Sequence, residues 1–200
     1  MNTSLAALIN RLPEETAPLF LRWISGREVT VKLVKARATK RGDFTPPHKG
    51  RQSAITLNKD LGSYSLAVTL THEIAHLYVW ERYKRSAKPH GVQWKQCFAQ
   101  MLTELAQIES LPISFRKAIK LHAKRPKASS IRDLNLYRTL CALDGAKELW
   151  LESLNDGDEF LINGRRFRRE RRRRTRCLCV EVATGQQYLV SLAASVSPID

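Results

Sequence analysis

The sequence predicts an α+β protein, in which a mainly helical domain with a small sheet is followed by a small antiparallel β module. Three observations favour this class. Short segments rich in β-branched residues come early, and apolar residues then recur at helical spacing from residue 64 to residue 143. Beyond residue 144, alternating segments are separated by Asn-Gly, Thr-Gly and Asp-Gly pairs, which are typical of hairpin turns. We therefore predict two domains, residues 1–144 and residues 145–200.

The amino-terminal part of the chain predicts two helices and two strands. The helices lie within residues 4–24, and the second begins at Pro13, a residue that the first turn of a helix tolerates. Residues 28–36 and 53–58 alternate apolar and polar side chains and predict strands. The segment 39–52 between them contains two glycines and a Pro-Pro pair, so it is predicted to be a loop.

Helical periodicity dominates the following part of the chain. Four helices are predicted, over residues 64–83, 91–108, 113–125 and 129–143. Ser130 is predicted to cap the last of them, because Asp133 stands three positions later as in a capping box. The remaining residues predict a small sheet or barrel of four or five strands, whose roughly 55 residues would make only a marginal core alone.

A net charge of +15 is distributed unequally along the chain. Residues 1–144 carry a net charge of +13, whereas residues 145–200 carry +2. A positive field of this kind attracts polyanions, most often nucleic acid. A solvated surface that like charge keeps soluble is the alternative explanation.

The compartment is predicted from what the sequence lacks. No apolar run approaches the roughly 18 residues that a membrane-spanning helix needs. The amino terminus lacks a basic region and is interrupted by Pro13 and Pro18, unlike a signal peptide. Four scattered cysteines do not form a secreted disulfide framework, and Cys177 and Cys179 are expected on one inward face of a strand. We therefore expect a cytoplasmic protein without a membrane partner.

Residues 71–94, THEIAHLYVWERYKRSAKPHGVQW, contain a motif with chemical meaning. His72 and His76 are four residues apart on the predicted helix, so they share a face and can present two imidazoles to one ion. Glu73 is turned about 100° from His72, which places it near a metal without ligating it. Such a carboxylate can accept a proton from an attacking water and pass it to a leaving amine.

The residues around the motif favour a metal site over a chance occurrence of two histidines at this spacing. The flanking residues are apolar, and buried histidine and glutamate side chains are costly without partners. A catalytic zinc needs a third protein ligand and an open position. His90 is the preferred third ligand, because Gly91 permits a close backbone approach, and Glu104 is the alternative.

The remaining histidines and the tryptophan near the motif receive structural interpretations. His48 and His122 lack a comparable context and are predicted to be loop or surface histidines. Trp94 is expected to pack in the core beneath the site rather than to line it.

The motif resembles that of the SprT-like family of zinc metallopeptidases, which includes the eukaryotic protease Spartan. Residues 71–77, THEIAHL, and 89–94, PHGVQW, carry the resemblance through the family pattern H-E-x-x-H…H-G-x-x-W. Weaker similarity to standalone bacterial members extends over most of the chain. The resemblance implies a zincin-like domain, zinc ligation by the three histidines, namely His72, His76 and His90, and catalysis by Glu73.

The resemblance also bears on the number of metals and on the task. Many members end in a four-cysteine zinc ribbon, but Cys177 and Cys179 lack a second pair, so one Zn²⁺ is expected. Spartan-type members degrade proteins trapped covalently on DNA, which implies proteins bound or crosslinked to DNA as substrates. The alternative is a zinc-stabilised nucleic-acid-binding protein with vestigial or suppressed peptidase activity. Glu73 argues against it, because a structural zinc site needs no such carboxylate.

Three basic clusters, in residues 27–51, 116–127 and 165–176, offer contacts to nucleic acid. Arginine forks suit phosphate oxygens, and Phe167 could stack on an unpaired base. The predicted contacts, tolerant of base sequence, are Arg37, Lys40, Arg41, Arg165, Arg166, Arg168, Arg169, Arg172, Arg173 and Arg174. The alternative for the last cluster is a hairpin whose arginines point outward or pair with acidic residues of the same module.

Overall fold

The chain folds into two compact units, Met1–Gly145 and Ala146–Asp200. The computed structural model describes residues 3–129, 133–146 and 149–199. Helices and strands both occur in these ranges, so the α+β class is confirmed. None of the helices in the described ranges is long and apolar enough to cross a membrane.

The first unit contains a three-stranded sheet in the order β1–β3–β2. Strand β1 (Val29–Val34) runs parallel to the central strand β3 (Ser53–Asn58), and β2 (Gly42–Thr45) runs antiparallel to β3 at one edge. Ile55 and Leu57 of β3 are fully buried, as the alternation in the sequence predicts.

Strand β2 lies within the segment 39–52, so the prediction of a loop is wrong for Gly42–Thr45. Glycine and aspartate are poor strand formers, and the prolines that follow are typical of a turn. The strand forms because β3 supplies backbone partners along its whole length, from Leu57 opposite Gly42 to Ala54 opposite Thr45. A proline directly after a strand is compatible with a position at a sheet edge.

Helices make up most of the first unit. They are α1 (Thr3–Ile9), α2 (Ala17–Ile24), α3 (Ser63–Tyr83), α4 (Val92–Leu105), α5 (Ile113–Lys124) and α6 (Leu134–Leu143). Helix α3 is the central one, because strands β2 and β3 and helices α4 and α6 contact it. Thr69 and Thr71 within it donate their hydroxyl hydrogens to the carbonyl oxygens of Ser65 and Ala67 at 2.7 and 2.8 Å, which satisfies both buried hydroxyls.

Helix α6 begins later than the sequence predicts. Asp133 occupies its N-cap, and a carboxylate oxygen accepts a hydrogen bond from the backbone N–H of Leu136 at 3.3 Å. The predicted cap, Ser130, lies outside the described residues. The acidic residue that the sequence analysis assigned to the third helical position therefore serves as the cap itself.

The second unit is built from strands. A four-stranded antiparallel sheet has the order β5–β6–β7–β8, and two short strands, β4 and β9, pair with each other. The strands are β4 (Leu149–Trp150), β5 (Glu159–Ile162), β6 (Arg165–Arg172), β7 (Arg176–Glu181), β8 (Gln187–Ser191) and β9 (Ser195–Val196). Cys177 and Cys179 are fully buried on one face of β7, which confirms the prediction for these thiols. Phe167 stacks on Phe160 with ring centroids 6.0 Å apart and is 5% exposed, so it belongs to the core and cannot offer its face to a base.

Candidate active site

Three histidines of the first unit converge on one point. His72 and His76 lie one turn apart on α3, and His90 lies in the turn that precedes α4. The distances between their Nε2 atoms are 3.2 Å for His72 and His76 and 3.1 Å for each pair with His90. Ligand atoms at ~2.0–2.1 Å from a tetrahedral ion lie roughly 3.3 Å apart, so the triangle of nitrogens fits such an ion. Among the described residues, these histidines form a group that could hold a metal ion.

The turn that carries His90 is tight. His90 has a backbone φ of +55°, a left-handed conformation that costs a residue with a side chain about 1–2 kcal/mol. The Gly91 N–H donates to the Lys88 carbonyl oxygen at 2.9 Å, and a Cβ at Gly91 would lie 2.9 Å from the same oxygen. The close backbone approach expected at Gly91 is therefore present. The residue with the strained backbone is His90, whose side chain places a nitrogen atom close to those of His72 and His76.

Burial keeps the imidazoles uncharged. Burial, reinforced by the neighbouring imidazoles His76, His90 and His122, lowers the pKa of His72 to about 2. Burial and His90 lower the pKa of His76 to about 4, and burial lowers the pKa of His90. A neutral imidazole offers a nitrogen lone pair, which is the form that binds metals.

Trp94 forms the floor beneath the histidines. It is fully buried, and its ring centroid lies 4.5 Å from that of His72, 5.3 Å from that of His76 and 4.7 Å from that of His90. Phe98 stacks below it, with centroids 4.8 Å apart. Trp94 therefore packs against the site, as the sequence analysis expects, and it limits the orientations open to all three rings.

Glu73 is buried on α3, the helix of His72 and His76, and faces the edge strand β2. The residue is 5% exposed, and the backbone N–H of Phe44 donates a hydrogen bond to its carboxylate. Burial and then the charge of Asp43 raise the pKa of Glu73 to about 8, although the Phe44 N–H acts in the opposite direction. The ring of Phe44 stacks on that of His76, with centroids 6.5 Å apart and planes within 4°. The sequence analysis missed this contribution because it assigned β2 to a loop. The proline directly after the segment was an available signal, since proline is also compatible with the end of a strand at a sheet edge.

Three other predictions about glutamate and histidine side chains have definite outcomes. Glu104 accepts a hydrogen bond from Trp23 Nε1 at 3.0 Å and pairs with Arg22, so it is not placed with the histidines. His122 is 1% exposed, with its Nδ1 atom 2.7 Å from an Asp133 carboxylate oxygen, so the prediction of a loop or surface histidine is wrong. His48 lies in an exposed turn, as predicted.

The basic residues predicted to bind nucleic acid in the first unit contact the protein itself. Arg37 donates to the side chains of Asn58 and Thr56 at 2.9 and 3.0 Å, which attaches the loop after β1 to β3. Lys40 pairs with Asp43 at 2.9 Å. The Arg41 guanidinium lies 5.3 Å above the centroid of the Tyr137 ring. These three cations are thus partly engaged within the fold.

The arginines of β6 are mostly paired with carboxylates of the same unit. The pairs are Arg165 with Glu181 at 2.6 Å, Arg168 with Glu170 at 2.8 Å, Arg169 with Asp156 at 3.2 Å and Arg172 with Glu152 at 3.1 Å, together with Arg166 and Glu159. Hydrogen bonds from Arg165 and Thr184 lower the pKa of Glu181 to about 2. Arg173 and Arg174 are exposed in the turn between β6 and β7 and pair with no carboxylate of the described residues. The alternative of internal pairing thus holds for most of the cluster, and the turn remains open to solvent.

Comparison with known proteins assigns the chain to a family. The model of the SprT-like family matches residues 15–117, which is more than half of the sequence and includes the three histidines, Glu73 and strand β2. This family is generally associated with domains of the metallopeptidase type. No curated protein and no solved structure gave a match. The chain, with its three converging histidines and buried glutamate, belongs to the SprT-like family.

Proposed function

We propose that the protein is a zinc-dependent endopeptidase whose first unit is zincin-like. The observation that supports this most directly is the triangle of three imidazole nitrogens 3.1–3.2 Å apart, with a buried carboxylate one residue after the first of them. His72, His76 and His90 would hold one Zn²⁺, and three protein ligands leave the open fourth position that distinguishes catalytic from structural zinc. When bound, zinc polarises a carbonyl group and lowers the pKa of a water molecule to about 7.

Glu73 acts as general base and then as general acid. The Phe44 N–H faces the carboxylate and favours its charged form, which is the form that accepts a proton. The carboxylate takes a proton from the attacking water and returns it to the amine nitrogen as the peptide bond breaks. Its burial excludes bulk water that would otherwise compete for that proton.

The outer edge of β2 is the proposed seat of the substrate chain. Strand β2 pairs with β3 on one side only, and no strand of the described residues covers its other side. An extended peptide can add to such an edge through backbone hydrogen bonds, which places little demand on its side chains. Because Phe44 of β2 also contacts His76 and Glu73, a peptide along this edge would pass directly beside the proposed catalytic groups.

The proposed substrates are proteins bound or crosslinked to DNA. Support comes from the net charge of +15 and from cations that pair with no carboxylate of the described residues. Arg173 and Arg174 are exposed at the β6–β7 turn, and Lys117, Lys120 and Lys124 are exposed on α5 without a carboxylate partner among the described residues. We therefore expect nucleic-acid contact mainly at these free cations, with a strong dependence on salt.

Cleavage of a DNA-bound model protein by the zinc-loaded protein, with and without added DNA, tests the proposal. Glu73→Gln is expected to abolish cleavage while zinc content stays at one per chain. Glu81→Gln serves as the matched control, since Glu81 lies on the same helix but pairs with Arg27 at 3.0 Å. Cleavage by Glu73→Gln at the wild-type rate would refute the assigned mechanism.

The results with and without DNA distinguish the proposed substrates from the proposed peptidase reaction. Cleavage that is indifferent to DNA would retain the peptidase and remove DNA-bound proteins as its substrates. Absence of cleavage by a zinc-loaded protein that binds DNA tightly would favour the alternative, a zinc-stabilised nucleic-acid-binding protein.

A further inference from the structure

Strand β2 has a glycine at the point where it crosses helix α3. Residues 42 and 44 are two apart on the strand, so their side chains belong to the same face. The Phe44 ring on that face stacks on His76. A Cβ at Gly42 would meet Glu73 Oε1 at 2.6 Å, Glu73 Cγ at 2.9 Å and Thr69 Cγ2 at 2.8 Å. All three distances are shorter than real contacts of a Cβ atom.

The neighbours of Gly42 cannot withdraw without losing an interaction. The Thr69 methyl is fixed, because its hydroxyl donates to the Ser65 carbonyl oxygen at 2.7 Å and a β-branched side chain has few rotamers in a helix. The helix itself cannot shift, since Leu70 and Ile74 are fully buried on it. Glu73 has rotatable bonds, but turning it away would break the hydrogen bond from the Phe44 N–H.

Backbone conformation does not explain the glycine. Gly42 lies in a regular strand opposite Leu57 and is not among the glycines with positive φ. Any residue could adopt its dihedral angles, so space is what the position requires.

We propose that Gly42 is a positioning residue for Glu73. The missing side chain leaves the volume that the Glu73 carboxylate occupies against strand β2, on the helix that carries His72 and His76. The catalytic consequence rests on the proposed function, whereas the steric coupling between Gly42 and Glu73 does not.

The kinetic test uses Gly42→Ala in the zinc-loaded full-length protein. We expect kcat to fall about 100-fold, because a small displacement of a reacting group has an effect of this size, while KM changes little. Zinc content should remain at one per chain, since the three atoms nearest to the added methyl group belong to Glu73 and Thr69 and not to a histidine. Thr103→Ala is the control, because Thr103 is exposed on α4, outside strand β2 and the proposed site. An unchanged kcat in Gly42→Ala would overturn the proposal.

A double-mutant cycle on the metal-free protein tests the coupling without any activity. Urea denaturation is measured for the wild type, Gly42→Ala, Glu73→Ala and the double variant. We expect Gly42→Ala to lower the denaturation midpoint in the wild type and to lower it much less beside Glu73→Ala, which removes two of the three close atoms. Adding Thr69→Ser should remove the remaining effect. An equal decrease in both backgrounds would overturn the proposal.

Failure to fold is also informative in this design. If Gly42→Ala does not fold, Gly42→Ala with Thr69→Ser is compared with the triple variant that also carries Glu73→Ala; the coupling is supported if only the triple variant folds and is overturned if neither folds. If the wild type cleaves no substrate, the proposed function fails, yet the cycle still decides whether Gly42 positions Glu73.

Discussion

Replacing Asp133 with alanine removes two interactions of one carboxylate. An oxygen of Asp133 caps α6 by accepting from the Leu136 N–H at 3.3 Å, and the second oxygen lies 2.7 Å from Nδ1 of His122. His122 is 1% exposed, so in the folded protein its Nδ1 atom depends on Asp133 for this hydrogen bond. The variant therefore loses a helix cap and leaves a buried imidazole without its hydrogen bond.

The expected cost follows from these two losses. Loss of an N-cap costs about 1 kcal/mol. A buried polar group without a partner costs about 1–3 kcal/mol. Asp133→Ala should thus lower the free energy of unfolding by roughly 2–4 kcal/mol. Asp133→Asn keeps the capping oxygen and a polar atom facing His122, so it should cost about 1 kcal/mol.

The same carboxylate predicts a dependence on pH. Partial burial alone raises the pKa of Asp133, but the hydrogen bonds from His122 and from the Leu136 N–H outweigh burial, and the pKa is lowered. A carboxyl group with a lowered pKa stabilises the fold above its unfolded pKa of about 3.9. This stabilisation is lost as the pH falls through the folded pKa. The difference in stability between the wild type and Asp133→Asn should therefore shrink below about pH 4.

Urea denaturation followed by tryptophan fluorescence, at pH 7 and at steps down to pH 3, measures both effects. The reasoning is refuted if Asp133→Ala loses less than about 0.5 kcal/mol, the range of an ordinary surface substitution. If Asp133→Ala and Asp133→Asn lower the free energy of unfolding equally, the cost does not come from the lost hydrogen-bond acceptor.

Further expected outcomes concern the metal site and the free cations. Trp94→Ala removes a fully buried ring that contacts three imidazoles, so the free energy of unfolding should fall by about 3–5 kcal/mol and zinc binding should weaken; a loss under about 1 kcal/mol would contradict this packing. Removal of zinc with a chelator should lower the melting temperature, and added zinc should restore it, because ligands assembled only in the folded state bind only that state. An unchanged melting temperature would contradict a metal at this site. Arg173→Gln with Arg174→Gln should weaken DNA binding and reduce the slope of log Kobs against log salt by about 2, whereas Arg165→Gln, which loses an internal ion pair, should leave that slope unchanged.

The part of the site that the sequence predicts best lies on one long helix. His72, Glu73 and His76 have a helical spacing within an apolar segment, and periodicity alone assigns their relative directions. His90 follows a short break in helical periodicity. Because the periodicity restarts after Gly91, the sequence already indicated that the chain turns back at this break and brings His90 towards the first helix. The distances among the three nitrogens agree with this expectation.

Contacts made across the fold were less accessible to sequence reasoning. Strand β2 has four residues, and its pairing depends on β3 rather than on its own propensities. His122 stands among lysines, which suggested a surface position. It also lies seven residues after Phe115 on the same face of α5, and both are buried, so helical spacing was the signal that it faces the core.

Charge patterns gave the least guidance, because a run of arginines does not indicate which carboxylates oppose it. The partners in the second unit are set by strand register, including the irregularity between Arg169 and Arg171. That irregularity changes which side chains of β6 face each side of the sheet, and neither composition nor alternation predicts its position.

The two buried thiols of the second unit, Cys177 and Cys179, can report how fast that unit unfolds. Burial, and then the neighbouring Cys177, raise the pKa of Cys179 to about 12, and both thiols are inaccessible in the folded unit. Because alkylating reagents react with exposed thiolates, modification of this pair should proceed only as fast as the small sheet unfolds. Mass spectrometry of peptides containing residues 177–179 would then time the unfolding of this unit separately, while Cys97 and Cys141 report on the first unit.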